Sequence, residues 1–104
     1  MPRERLPNRR PCITETIDVN GRQYSISAGF HPDSGTLAEL WIPSRGKSGS
    51  DYDHELYAGG TLASLCLQCG ARPQDIAYAV QSAGGHPSVI GAALDWAAKL
   101  EAEL

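Results

Sequence analysis

The 104-residue chain lacks any long apolar run, so nothing in it has the length of a membrane-spanning helix. Its start is rich in arginine but has no apolar stretch of the kind a secretory signal needs. Cysteine is sparse: Cys12, Cys66 and Cys69 cannot all pair within one chain, and with no secretory signal they read as reduced thiols of a cytoplasmic protein. There is no second Cys-x-x-Cys and no His-x₃₋₅-His, so a ready-made zinc site is missing. There is no Gly-x-Ser-x-Gly elbow around Ser64, and His31, His54 and His86 stand far apart with no nucleophile beside them. A hydrolase triad is therefore unsupported. No internal repeat or low-complexity tract occurs.

What remains is the composition of one ordinary soluble domain: 41% hydrophobic, 20% charged, formal net charge −3. A chain of this size buries enough surface for one core and not for two. The charge is uneven. The first ten residues hold Arg3, Arg5, Arg9 and Arg10 against Glu4 alone, leaving five basic and eleven acidic residues for the rest. We divide the chain into a basic, proline-containing arm (1–12) and one domain (13–104). The arm reads as a solvated tail or as a docking element for nucleic acid or an acidic partner. The acidic body would repel phosphates and argues against general nucleic-acid binding.

Ile13, Glu15, Ile17 and Val19 mark alternate positions of a strand. Asn20-Gly21 then supplies the favoured two-residue hairpin turn, because both positions tolerate positive φ. Tyr24, Ile26 and Ala28 continue the period of two to about Phe30. Pro32-Asp33-Ser34-Gly35 is a turn, and Leu37–Ile42 a third strand with Leu40 and Ile42 on one face and Trp41 on the other. Beyond the polar loop Pro43–Ser50 the period becomes helical, with Ser50 or Asp51 as cap. Leu56, Gly60, Ala63 and Leu67 form one stripe, and Leu62, Leu65 and Cys69 extend its apolar arc. Gly59-Gly60 costs about 1 kcal/mol per glycine in helix propensity, so the pair implies close approach to a neighbouring backbone, the sheet being the candidate. Gly70 ends this helix. Pro73 opens a short helix with Ile76, Ala77 and Val80 inward. Pro87-Ser88 starts a last one with Ile90, Ala93, Leu94, Ala97 and Leu100 on a shared face. The fold class is α+β: a three-stranded antiparallel meander followed by three helices packed on one face, in the order β-β-β-α-α-α.

Three groups of residues carry candidate chemistry. Arg45, Lys47 and the backbone N–H groups of Gly49 and Ser50 could converge on an anion at a helix N-terminus. Gly46-Lys47-Ser48 matches the end of a phosphate-binding loop, but residue 41, where its first glycine belongs, is Trp, so a nucleoside-triphosphatase loop is excluded. The alternative is a plain capped connection. Cys66-x-x-Cys69, with Cys12, offers a redox or metal reading against the simpler one of two small thiols on a buried helix. Arg3, Arg5, Arg9 and Arg10 form the candidate partner-binding arm.

Taken together, several pieces resemble the TSCPD domain. They are Gly21-Arg22-Gln23-Tyr24, Gly35-x-x-x-Glu39-x-Trp41-Ile42, Lys47-x-Gly49-Ser50, Gly60-x-x-x-Ser64-Leu65-x-Leu67-Gln68-x-Gly70 and Pro73-x-x-Ile76, covering roughly residues 13–80. Leu6-Pro7-x-Arg9-Arg10 and Ser88–Leu94 are similar to the ends of small stand-alone members. That domain forms the C-terminal region of adenosylcobalamin-dependent (class II) ribonucleotide reductases. The letters Thr-Ser-Cys-Pro-Asp themselves do not occur here. The reductase barrel, radical cysteine loop, cobalamin site and substrate pocket would not fit in 104 residues. The resemblance thus implies an accessory or regulatory module of deoxyribonucleotide synthesis without stand-alone catalysis. Adenosylcobalamin is implied only for full-length relatives. The partners implied are a reductase catalytic chain or a nucleotide. A domain that docks on a partner or on a second copy, through Gly60 and Ala63 or through the arm, is the alternative.

Overall fold

The computed structural model describes residues 2–43, 51–80 and 88–103, with the backbone alone for 51–53. Three strands, β1 (Cys12–Val19), β2 (Arg22–Phe30) and β3 (Leu37–Trp41), form an antiparallel sheet in the order β1-β2-β3. Three helices follow: α1 (Asp51–Gln68), α2 (Pro73–Ala79) and α3 (Val89–Glu103). This is the α+β meander-then-helices order that the sequence predicts.

Local chemistry accounts for the turns. Asn20 and Gly21 both adopt positive φ, 55° and 81°, and Val19 pairs with Arg22, so the β1–β2 link is the tight hairpin. The Asp18 carboxylate accepts from the Gly21 N–H at 3.0 Å and braces it. Gly35, φ 74°, donates its N–H to the His31 carbonyl at 2.9 Å and closes the second turn. A bulge between Gly29 and Phe30 shifts the β2–β3 register there.

Alternation decides which sheet face is buried. Tyr24, Ile26, Ala28 and Phe30 of β2 lie beside Ala38 and Leu40 of β3, with Ile42 following, and all are buried. Val19 of β1, Leu37 of β3, Leu56, Ala63 and Leu67 of α1, Ala77 of α2 and Ala93, Leu94 and Ala97 of α3 complete the core. The large, fully buried side chains Phe30, Ile26, Leu40, Ile42 and Leu94 each contribute about 1.5–3 kcal/mol of burial. At β1, Glu15 faces the helices and accepts from the Trp96 indole N–H at 2.8 Å.

The order of strands leaves β3 at an edge, where outward backbone groups would go unpaired. Helix α1 covers that edge. The Ser64 hydroxyl accepts from the Leu40 N–H at 2.9 Å and lies 3.1 Å from the Leu40 carbonyl and 2.8 Å from the Gly60 carbonyl, either of which can take its proton. The Gln68 amide donates to the Ala38 carbonyl at 3.0 Å. Gly60 is what lets the backbones meet: a Cβ there would stand 3.1 Å from the Leu40 carbonyl oxygen. Its neighbour Gly59 faces α3 instead, where a Cβ would come within 3.0 Å of Ile90. The glycine pair therefore serves two contacts, one to the sheet and one to α3.

Helix ends follow the same logic. Gly70, φ 100°, donates to the Leu67 carbonyl and Ala71 to the Cys66 carbonyl, both at 3.0 Å, a Schellman termination of α1. Pro73 opens α2, and the Ser88 hydroxyl caps α3 by accepting from the Gly91 N–H at 2.8 Å. Glu101 near the far end of α3 accepts from the Leu37 N–H and ties that helix to the start of β3.

Three expectations are corrected. Val80 is exposed, because α2 ends at Ala79 before it can turn inward. Leu62 and Leu65 do not extend the buried arc of α1 but stand exposed on its far side. Gly60 and Ala63, offered as a partner-binding face, are consumed within the chain by β3 and the core.

Candidate functional site

Arg45, Lys47, Gly49 and Ser50, the predicted anion-binding group, lie outside the described residues. In sequence they join the end of β3 to the start of α1, and it is beside these two elements that the described part of the chain forms a polar cleft.

One wall of that cleft comes from the arm, which is not a solvated tail. The Glu4 N–H donates to the Gln68 carbonyl at 2.8 Å, and Pro11 accepts from the Phe30 N–H at 3.0 Å. The Arg3 guanidinium donates to the Gln68 side-chain oxygen at 2.5 Å. Arg10 grips Glu39 with two hydrogen bonds of 2.9 Å and donates a third to the Pro7 carbonyl. Glu39 lies flat over Gly29, where a side chain would collide with its carboxylate. The hydrogen bond to Glu39 pushes the Arg10 guanidinium further above its already high pKa, with partial desolvation opposing, so the pair keeps its cation at every ordinary pH. Of the four predicted partner-binding arginines, Arg3 and Arg10 are thus engaged within the chain, while Arg5 and Arg9 stay exposed. Local patterning could not find these bonds, which join residues 65 and 29 positions apart.

The cleft itself has a volume of about 180 Å³ and is lined by Arg3, Glu39, Trp41, Tyr57, Thr61, Leu65 and Gln68, over a floor of Leu40 and Ser64. Trp41 and Tyr57 meet edge to face, with ring centroids 6.0 Å apart and planes at 80°. Their exposures, 47% and 54%, are large for aromatic side chains in a domain with a filled core. An aromatic wall next to a guanidinium can stack a planar ring and hold negative charge beside it. The volume falls below the roughly 300–1,000 Å³ that encloses a drug-sized ligand, so it admits a ring and not a whole nucleotide. Trp41 was legible as the outward residue of β3. Tyr57 was not singled out, although it stands off the buried stripe of α1, which is the signal that marks it.

The cysteines do not assemble. Cys12 and Cys66 are exposed and Cys69 is half-buried; all three are free thiols. The picture of two thiols on a buried helix is therefore corrected, since the α1 surface carrying Cys66 faces outward. Among the described residues no group of three or more His, Cys, Asp or Glu is placed to hold a metal ion. His31 is buried with its Nδ1 3.8 Å from a Glu4 carboxylate oxygen, and His54 is exposed. No described helix is long and apolar enough to cross a membrane.

Comparison with known protein families, with curated proteins and with solved structures gives no match.

Proposed function

We propose that this chain is an accessory or regulatory module of deoxyribonucleotide synthesis, related to the TSCPD domain of class II ribonucleotide reductases, which works by binding a nucleotide or a reductase and not by catalysis of its own. The observation that carries the reading is the cleft of Trp41, Tyr57 and Arg3 beside the two elements that the loop with Arg45 and Lys47 connects. A base can stack on the aromatic pair, and phosphates then have Arg3, Arg45, Lys47 and the N–H groups of Gly49 and Ser50 as candidate partners. Most of the motif residues shared with the TSCPD domain have structural work: Gly60, Ser64 and Gln68 seal the edge of β3, and Gly70 ends α1. Trp41, half exposed, is left over from that work, which supports assigning it to a ligand.

Isothermal titration calorimetry with ATP and dATP tests this. Saturable binding is expected, weakened at least about tenfold by Trp41→Ala and by Lys47→Ala, with little change in stability because Trp41 is half exposed. Affinity unchanged in both variants would remove the cleft from the account. The second reading, a partner-docking domain unrelated to ribonucleotide reduction, is favoured by the exposed Leu62 and Leu65 on the outer side of α1.

A further inference from the structure

The arm ahead of β1 adds nothing to the core. From Pro2 to Cys12 no side chain is buried, and only Leu6 and Arg10 are half-buried. The first side chain packed against the hydrophobic core is Ile13. Polar bonds hold the arm instead, at two points. At the first, Arg3 and the Glu4 N–H both donate to Gln68, one to its side-chain oxygen and one to its main-chain carbonyl. At the second, Arg10 clamps Glu39. The hinge is Pro11, whose carbonyl accepts from the Phe30 N–H where the β1–β2 ladder begins. A segment fastened in this way, without apolar burial, opens at far lower free energy than the domain unfolds.

The same bonds build the cleft. Arg3 and Glu39 are its two charged walls, and Arg3 is the only cation among the described residues that line it. The arm carries the first wall and neutralises the second. Release removes Arg3 from the cleft and strips Glu39 of its guanidinium, so an attracting wall is exchanged for a repelling one. An anion beside the aromatic pair therefore distinguishes the two states, which is the condition for a ligand to shift their populations. We propose that the arm is a strap that closes the cleft on its ligand: docked, it admits a ring with a phosphate beside it; released, it does not. This rests on the nucleotide site proposed at Trp41 and Tyr57. Coupling is reciprocal, so an occupied cleft holds the arm down. A ligand that binds the docked form alone cuts the released population about tenfold at ten times its Kd.

Limited trypsin digestion of the full chain reads that population, because cleavage needs the chain free on both sides of the bond. Arg5 and Arg9 are exposed trypsin sites of the arm, and neither lines the cleft. Cleavage after each is timed by mass spectrometry, with and without ATP or dATP at about ten times the Kd from calorimetry. Nucleotide is expected to slow both cleavages about tenfold in the wild type. In Trp41→Ala, with affinity at least about tenfold lower, the slowing is at most about twofold, which also controls for effects on the protease. Protection after Arg9, six residues along from Arg3, requires docking of the whole arm and not shielding by the ligand. Saturable binding with unchanged cleavage overturns the strap and leaves the nucleotide site standing. So does protection confined to Arg5, or equal slowing in Trp41→Ala. No binding by calorimetry overturns the nucleotide reading, and the strap with it.

Discussion

Replacing Ser64 with alanine isolates the contact that positions α1 on the sheet. The hydroxyl is the partner of the Leu40 N–H at 2.9 Å in a buried setting, and Ser64 is only 8% exposed. Its loss strands a donor on an edge strand that α1 shields from water, at a cost of about 1–3 kcal/mol. Alanine returns about 0.5 kcal/mol of helix propensity, leaving a net loss of about 0.5–2.5 kcal/mol. For a domain of this length that lowers Tm by about 2–20 °C. Thr61→Ala is the matched control. Thr61 makes the same backward bond within α1, to the Tyr57 carbonyl at 3.0 Å, but is exposed and has no bond to β3. Urea unfolding of the three proteins, with equal m-values, should place Thr61→Ala within about 0.5 kcal/mol of wild type and Ser64→Ala well below it. Amide exchange at Leu40 should accelerate in Ser64→Ala alone. Equal stability of the two variants, with Leu40 still protected, would refute the edge-sealing argument.

The Arg10–Glu39 pair, with two-bond geometry and side chains 27% and 20% exposed, should show a double-mutant coupling of about 1 kcal/mol in denaturant unfolding. Arg10→Ala should also make the arm a faster target for limited proteolysis, because one of its anchors is lost. Gly29→Ala places a Cβ 2.5 Å from the Glu39 carboxylate and 3.2 Å from its Cβ, so it should displace the carboxylate from Arg10. Its cost should therefore shrink when Arg10 is already alanine, and additive costs would show the two to be independent. Among the thiols, Cys12 and Cys66 should react with a thiol reagent in the folded protein before half-buried Cys69, and equal rates would contradict the burial described.

The parts of the fold legible in sequence are those set by local rules. Asn20-Gly21 dictates a hairpin, period two assigns Leu40 and Ile42 to one face, and the expense of Gly59-Gly60 announces close contacts. What escaped has two causes. The first is that α1 is apolar on both sides. With Leu62 and Leu65 outside and Leu56 and Leu67 inside, periodicity cannot tell the core face from an exposed ridge. The second is distance along the chain. Arg3 with Gln68, and Arg10 with Glu39, are contacts that no local pattern encodes, so the arm read as a tail. Ser64 and Gln68 left a usable trace, since polar residues four apart in line with Gly60 on a buried stripe must have backbone to serve. The predicted anion loop is a different matter, for residues 45–50 lie outside the described part of the chain.

The central claim is that this chain acts on ribonucleotide reduction by binding. Affinity capture of the tagged full chain from its native cells, with and without added dATP, followed by mass spectrometry, tests it most directly. The account predicts enrichment of a reductase catalytic chain, in an amount that changes with the nucleotide and falls in Trp41→Ala. Reproducible enrichment of an unrelated partner, with no reductase and no response to nucleotide, would contradict it.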